Sequence, residues 1–543
     1  MNVIRCPICN QYVHVLLHEF HGKGEQVVVE KLRQQHPKWS EADGMCERCL
    51  YLNEFDTVEE HFSALAKGTL FRLRMKNEFA LLPTPLRLNS DPRFSGHGIT
   101  IAFLDSGFYP HPDLIRPSSR IKAIVDVTDE KKGASYFAKV HTESWHGTMT
   151  TVAATGNGFL SNGLYRGVAS EADVVLIKVL DTRTKRINTE NITRGIRWVR
   201  EHKERYGIRI ISISVGDDEP ATLMESPVDK EAEAAVKEGI VVVAAVGNNP
   251  ERPIVPPASS PSVITVGGLD DRNDLLQQHR TIYHSTFGKT VDGNPKPELI
   301  APAIWVAGPI LPKTDQYSES GALFDFVKAS PRTFEKQFEK KRTLLPTAPP
   351  MLARGDYKKW VRERIQEMKY IAPFYKNVDG TSFAAPIVSS VIAQMLEAMP
   401  DLSPSQVKQI LIDTAEPIKG AAKEQQGFGV PNPRAAVEQA LKERHVNRQP
   451  GVHFVDGKIY FIYHNRVPRF VSLAGDFNEW NVTKNYLHES EVGTWSCWIP
   501  KLASGNYRYK FVVDGNMWME DPANTDKEPD GFGGWNSRLA ISG

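Results

Sequence analysis

The chain has 543 residues, 41% of them apolar and 24% charged. This composition excludes a wholly disordered or fibrous protein. Single cores stop growing near roughly 250–300 residues, so several domains are expected, one of them large enough to be an enzyme. The 66 Lys and Arg against 65 Asp and Glu leave a formal net charge of +1, so neither nucleic acid nor an anionic membrane is expected as a partner.

The chain opens MNVIRCPICNQYVHV, without the basic segment, apolar core and small-residue cleavage site of a secretory signal. Its most apolar run, Ile240–Val246, is seven residues long, against about twenty for a spanning helix. A cytoplasmic protein is therefore expected. Cys6-Pro7-Ile8-Cys9 and Cys46-Glu47-Arg48-Cys49 are two C-x2-C turns 36 residues apart. Two thiolates three residues apart grip one side of a tetrahedral zinc ion, and a second such turn closes it. Residues 1–70, with a helix near Val27–Gln35, are thus read as a structural zinc module ligated by Cys6, Cys9, Cys46 and Cys49. Residues 71–95 carry Pro83, Pro85 and Pro92 and read as a linker or docking arm.

From about Gly96 to residue 448, apolar strands alternate with amphipathic helices. The expected strands are Ile99–Leu104, Val174–Val179, Ile208–Ser214, Ile240–Val246 and Val263–Val266; helices are expected at Thr189–Tyr206 and Asp229–Glu238. Near-continuous apolar strands suit a parallel sheet covered on both faces, so the expected class is α/β with helices flanking that sheet. Four short segments in this region carry chemistry. ITIAFLDSG ends a strand in Asp105; His146-Gly147-Thr148 opens a helix; GIVVVAAVGNN delivers Asn248 after a buried strand; GTSFAAP puts Ser382 at the start of an apolar helix. Singly each is weak, since a serine at a helix start is usually a cap and an aspartate after a strand usually forms a turn. Jointly they supply a hydroxyl nucleophile, an imidazole to take its proton, a carboxylate to orient the imidazole, and an amide to meet an oxyanion.

These four segments, in this order, resemble the signature segments of the subtilisin-like serine peptidases over about residues 96–442. The resemblance implies that Asp105 orients, His146 is general base and acid, Ser382 is the nucleophile and Asn248 the oxyanion donor. It further implies that Ser214-Val215-Gly216 pairs with extended peptide substrate, and that calcium binds near Asp113 and the loop Asn157–Asn162, although that loop differs in length. Three departures stand out. Met149 follows HGT where a histidine is common. No long prodomain precedes the catalytic segment. An insertion from about Lys313 to Asn377 precedes the nucleophile; its stretch 331–369 holds eleven Lys/Arg against five Asp/Glu, and it reads either as a solvated helical hairpin or as a lid beside the site.

After Gln449-Pro450-Gly451 the pattern changes to short aromatic-rich strands, read as a β-sandwich over 450–543. PRFVSLAGDFNEWN, GTWSCWIPKLASGNYRYKFVVDGNMWMEDP and GFGGWNSRL resemble the glycogen-binding modules of AMP-activated kinase β subunits. That resemblance puts the sugar contacts on Trp480, Lys510, Trp518, Phe532 and Asn536 and implies an α-glucan such as glycogen as partner; core packing is the plainer reading of the tryptophans. The sequence thus predicts an intracellular serine endopeptidase with zinc and glucan modules. The alternative is a catalytically silent scaffold that binds glucan or protein.

Overall fold

A computed structural model describes residues 3–53, 69–129, 131–345, 357–443, 450–455, 458–468, 470–491 and 493–541. The expected boundary at Gln449 lies just outside the described residues. The chain forms two compact units, Met1–Glu397 with Leu411–Ala436, and Ala398–Ile410 with Val437–Gly543.

The first unit is built on an eight-stranded sheet. Its strands are β1 (Thr100–Asp105), β2 (Ile121–Asp126), β3 (Asp173–Lys178), β4 (Ile208–Ile213), β5 (Val241–Ala245), β6 (Ile264–Asp270), the short β7 (Thr281–Ile282) and β8 (Leu299–Pro302). The order is β8-β6-β5-β4-β1-β3-β2, all parallel, with β7 antiparallel on β6. The α/β class read from the apolar runs is what the chain adopts; strand β2 escaped that reading because IKAIVD is only partly buried.

Ala102, Leu104, Val175, Ile177, Ile211, Ile213, Val242 and Ala244 line one sheet face and are buried in a single cluster. Helix α2 (Thr189–Tyr206) adds Ile192, Ile196 and Val199 to it, an apolar stripe at helical spacing. Helix α3 (Pro227–Lys237) adds Val228, Ala232 and Ala235. Alternate strand residues such as Ile101, Phe103, Val174 and Leu176 are equally buried on the other face. Helix α1 (Ser144–Thr155) and the helix that begins at Thr381 carry the two motifs expected to open helices, His146-Gly147-Thr148 and the Ser382 segment.

The amino-terminal cysteines and the proline-rich arm belong to this same unit. Cys6, Val28, Leu32, Met45, Cys46, Leu50, Phe71 and Leu82 share one buried cluster with Leu275. The arm is docked rather than a free linker: Leu81, Leu82, Thr84, Arg87, Leu88 and Asp91 are all buried. Its anchor is Arg87, whose guanidinium donates to both oxygens of Asp271 at 2.5 and 2.6 Å and to the Trp305 carbonyl at 2.8 Å. Burial pushes Asp271 above the usual carboxylate range despite the arginine.

The insertion is a packed subdomain, which corrects the reading of a solvated hairpin. Helices α4 (Asp315–Lys328), α5 (Pro331–Lys341) and α6 (Tyr357–Glu367) enclose Phe326, Phe334, Phe338, Tyr357, Val361 and Ile365. Phe334 stacks on Tyr357 at 4.0 Å and on Phe338 at 5.0 Å. Among the described residues, Arg332, Lys336, Lys340, Lys358, Lys359 and Arg362 are exposed on these helices while the apolar positions close a core. A three-stranded antiparallel sheet, β9 (Val306–Pro309), β11 (Tyr375–Val378) and β10 (Tyr370–Ala372), joins this subdomain to the rest of the unit.

The second unit carries a nine-stranded antiparallel β structure. Alternate residues of its strands, among them Ile459, Phe461, Leu473, Trp495, Tyr509, Phe511 and Leu539, meet in one core, as expected for two sheet halves folded face to face.

Removing a single partner from a buried ion pair strands the other charge, at about 3–5 kcal/mol. Arg87→Ala should lower the stability of the first unit by that amount in denaturant unfolding, whereas Arg87→Met with Asp271→Asn should recover most of it. A midpoint unchanged in Arg87→Ala would show that the arm is held otherwise.

Candidate active site

The carboxyl ends of β1, β4 and β5 lie side by side, with Leu104 opposite Ile213 and Ile213 opposite Ala244. Asp105 ends β1, Ser214 follows β4, and Asn248 lies three residues beyond β5. Parallel strands thus bring residues far apart in sequence to one edge, where open α/β sheets present their sites.

Asp105 is 1% exposed. Its Oδ1 accepts from His146 Nδ1 at 2.7 Å and from the Ser106 amide at 2.6 Å, and its Oδ2 accepts from the Thr150 hydroxyl at 3.1 Å. Thr150 stands four residues after His146 on α1, the same helix face; the sequence reading did not single it out, though that spacing marks it. Burial pulls the His146 imidazole down, but the adjacent Asp105 carboxylate and its hydrogen bond outweigh that and raise it above the ordinary histidine value. With Nδ1 engaged, Nε2 is the ring nitrogen left for a substrate-side proton.

Ser382 lies in the first turn of the helix Thr381–Ala398, here α7. Gly380, just before that helix, has φ +130°, a backbone region that side-chain-bearing residues rarely adopt. The Thr381 amide and hydroxyl donate to Asn248 Oδ1 at 2.7 and 3.0 Å. This fixes the amide so that Nδ2 faces away from Thr381, and Nδ2 has no hydrogen-bond partner among the described residues. Ser382 and Ser214 are mutually bonded. The Ser214 hydroxyl donates to the Ser382 carbonyl at 2.8 Å, and the Ser382 hydroxyl lies 3.4 Å from the Ser214 carbonyl. Val215 is half-buried and Gly216 exposed.

The ring of Phe383, the residue after Ser382, lies 6.2 Å from that of His146. Both line a cleft of about 1020 Å³ with Trp145, Met149, Ile310 and Val378. Trp145 stands edge-on to His146 at 5.3 Å and is 49% exposed. The structure therefore gathers Asp105, His146, Ser382, Asn248 and Ser214 at one edge, and adds Trp145 and the insertion strands as cleft wall. Met149 is buried in that wall, as packing predicts.

Asp113, the residue read as a calcium ligand, already accepts from the Tyr375 hydroxyl at 2.6 Å and from the Leu160 amide at 3.1 Å. Burial raises it above the usual carboxylate range. The Asn157 side chain is turned to the Phe159 amide and the Arg116 carbonyl. Among the described residues, only Cys6, Cys9, Cys46 and Cys49 form a cluster with ligand-atom spacing, all four sulfurs lying within 4.8 Å of one another. The Cys6–Cys49 and Cys9–Cys46 sulfurs are 3.8 Å apart. A tetrahedron with metal–sulfur bonds of about 2.3 Å has edges of about 3.8 Å, whereas a disulfide needs about 2.05 Å. The Cys46 amide donates to Cys6 Sγ at 3.3 Å and the Cys49 amide to Cys46 Sγ at 3.4 Å, which suits thiolates. The four-cysteine set fits a tetrahedral metal.

In the second unit, the rings of Trp480 and Trp518 are 6.2 Å apart and inclined at 40°. Glu479 and Trp480 both have left-handed φ, 58° and 57°, and Trp480 Nε1 donates to Asp476 at 3.0 Å. Trp518 is 44% exposed and Phe532 96%. Trp495 is core, and Trp498 lies under the Lys458 ammonium at 3.6 Å. Lys510 and Asn536 are recessed rather than exposed. Lys510 is paired with Asp530, whose carboxyl is held down at about 2 by that lysine and by the Phe532 and Gly534 amides. The loop carrying Phe532 is thereby anchored through Asp530, a residue the sequence reading missed. Trp535, 49% exposed, was missed as well.

Residues 96–430, more than half of the chain, match the subtilase family (peptidase S8), and residues 449–528 match carbohydrate-binding module 48, the isoamylase N-terminal domain. Serine protease AprX of Bacillus subtilis (strain 168) is 28% identical over 351 residues, 63% of this chain and 67% of AprX. Subtilisin Savinase of Lederbergia lenta is 28% identical over 181 residues, 33% of this chain and 59% of that protein. Among solved structures, the CspB protease of Clostridium perfringens aligns with a TM-score of 0.47 at 14% identity, over 68% of this chain and 98% of that one. With the sheet edge, the Asp105–His146 contact and the match to the family over residues 96–430, the chain belongs to the subtilase family of serine peptidases and carries a carbohydrate-binding module beyond the peptidase region.

Proposed function

We propose that this peptidase is a cytoplasmic endopeptidase that cleaves peptide bonds through Ser382, His146 and Asp105, with a structural zinc site at its amino-terminal end and an α-glucan-binding module at the other. The observation that carries the catalytic reading is the 2.7 Å contact between Asp105 and His146 Nδ1, made at the mouth of the cleft that Phe383 also lines. Ser382 Oγ attacks the substrate carbonyl while His146 Nε2 takes its proton. Asp105 holds the tautomer and faces the imidazolium that forms. The unpaired Nδ2 of Asn248 donates to the oxyanion. His146 then returns the proton to the departing amine. Ser214–Gly216, at the end of β4, offers backbone to an extended substrate.

The four cysteines support zinc through their spacing, and a closed four-cysteine site contributes folding free energy rather than chemistry. The cytoplasmic reading rests on cysteines that form no disulfide among the described residues, as expected in a reducing compartment. The glycogen-type reading rests on Trp480 and Trp518, whose inclined planes suit the C–H faces of a curved chain of sugar rings, and the same unit also exposes Phe532.

Ser382→Ala should abolish fluorophosphonate labelling and peptide cleavage with the fold intact; Asn248→Ala should keep labelling and lower turnover about 10²–10³-fold. Because the base works as neutral imidazole and its pKa is raised, activity should climb with pH through a midpoint above the ordinary histidine value. Full activity in Ser382→Ala would overturn the assignment. For the metal, protein purified without chelator should hold one zinc per chain by elemental analysis, and Cys6→Ser with Cys9→Ser should release it; metal-free wild type would refute zinc. For the sugar module, Trp480→Ala with Trp518→Ala should eliminate co-sedimentation with glycogen while thermal unfolding of the chain stays close to wild type. Core tryptophans would instead show a loss of about 3–5 kcal/mol each.

A further inference from the structure

The cleft beside His146 has two kinds of wall. Trp145, His146 and Met149 come from α1 and Phe383 from α7, while the opposite side is built by the insertion and the strands that bracket it. Ser214, Val215, Gly216 and Asn248 do not line it. The cleft therefore lies on the His146 side of Ser382, away from the β4 edge. In acyl transfer, the imidazole hands its proton to the departing amine, so the group that leaves from His146 departs into this cleft.

Its apolar lining, with Trp145, Met149, Ile310, Leu311, Val378 and Phe383, is joined by a few charges. Lys369, Asp379 and Glu367 are matched. Lys369 faces Asp379 at 3.5 Å, and Glu367 accepts from Arg364 at 2.9 Å. Lys313 and Asp315 form no ion pair among the described residues, but both are exposed and solvated at the start of α4. Lys376 is different. It sits in β11, backbone-paired with Gly308 on one side and Tyr370 on the other. It is half-buried in the cleft wall, and its ammonium has no ion-pair or hydrogen-bond partner among the described residues. The same wall carries Lys369, of like sign, and Asp379, which Lys369 already holds. Burial, and then the charge of Lys369, pulls Lys376 below the ordinary lysine range. An under-solvated cation in an apolar-walled cleft gains most from a carboxylate.

We propose that this cleft receives the leaving-group side of the substrate and that Lys376 selects a carboxylate there, within the first few residues after the scissile bond. The insertion would then set specificity, giving a family scaffold a preference its own sheet edge does not carry. The carboxylate comes either from an acidic side chain or from the terminus of a short peptide, and both present the same charge to the lysine. This inference rests on the peptidase assignment of Ser382 and His146.

The test uses the full chain and internally quenched peptides. In one arm the peptides are amidated and carry Glu, Gln or Lys at each of the first three positions after the scissile bond. In the other, they carry neutral side chains and end at those positions with a free carboxylate or an amide. Wild type should favour the carboxylate about tenfold in kcat/KM in at least one arm, the value expected for a charge-assisted contact, with the preference shrinking as salt rises. The arm that shows it identifies the source. Lys376→Met should erase the ratio, and Lys376→Glu should turn it towards Lys-containing peptides. Those substitutions leave the backbone pairs of β11 available, and the reversal in Lys376→Glu cannot come from misfolding. Cleavage without any carboxylate preference, or a wild-type ratio retained in Lys376→Met, overturns the proposal alone. Absence of both cleavage and Ser382 labelling overturns the peptidase reading, and this inference with it.

Discussion

The active-site edge depends on one steric constraint, the approach of helix α1 to the end of strand β1. A Cβ on Gly147 would stand 2.4 Å from the Gly107 carbonyl and 2.8 Å from the Asp105 Cβ. Real contacts are not that short, so only glycine lets His146 and Thr150 reach the same carboxylate. With the helix this close, Asp105 is sealed from solvent and satisfied by three donors. A buried carboxylate so held has little freedom to move. The imidazole is therefore placed before substrate arrives, which is the condition for general base catalysis without reorganisation in the transition state.

The second constraint acts on Ser382 from the other side of the edge. Thr381 occupies the carbonyl oxygen of Asn248 and so points its amide nitrogen away, while Ser214 ties the first turn of α7 to the end of β4. Three strands and two helices thus converge on a few atoms, each held by a neighbour rather than by its own chain segment. The insertion extends this convergence. Tyr375 of β11 bonds Asp113, so the place where a cation was expected is a polar junction between the insertion and the sheet. A buried carboxylate needs partners, and here a tyrosine hydroxyl and a backbone amide supply them.

The carbohydrate module follows a different logic. Its buried Trp495 and its more exposed Trp480 and Trp518 are chemically alike, and burial separates them. Two successive left-handed residues cost roughly 1–2 kcal/mol each outside glycine, and Glu479–Trp480 adopt them in a tight turn capped by Asp476. Trp480 is half-buried in that turn, so its ring is positioned by the backbone as well as by its own packing.

Much of this protein is legible from its residues. Continuous apolar runs such as Val241–Ala245 indicate strands buried on both faces, because no other short element hides every side chain. The four motifs point to the candidate reactive groups because few residue types can perform that chemistry, and the paired cysteines suggest a metal because two C-x2-C turns can close a tetrahedral site. Local sequence is silent about what lies across space. The positive charge of 331–369 suggested a solvated hairpin, yet Phe334, Phe338 and Tyr357 close a core once three helices meet. Lys510, read as a sugar contact, is recessed and paired with Asp530, twenty residues on, a partner that no local pattern announces. Trp145, Thr150, Lys376 and the arm anchored by Arg87 on Asp271 acquire their surroundings only through tertiary contacts. Residue type and period set the elements and their chemistry; burial, pairing and the neighbours of each charge were decided by packing, because those depend on distances that no local pattern encodes.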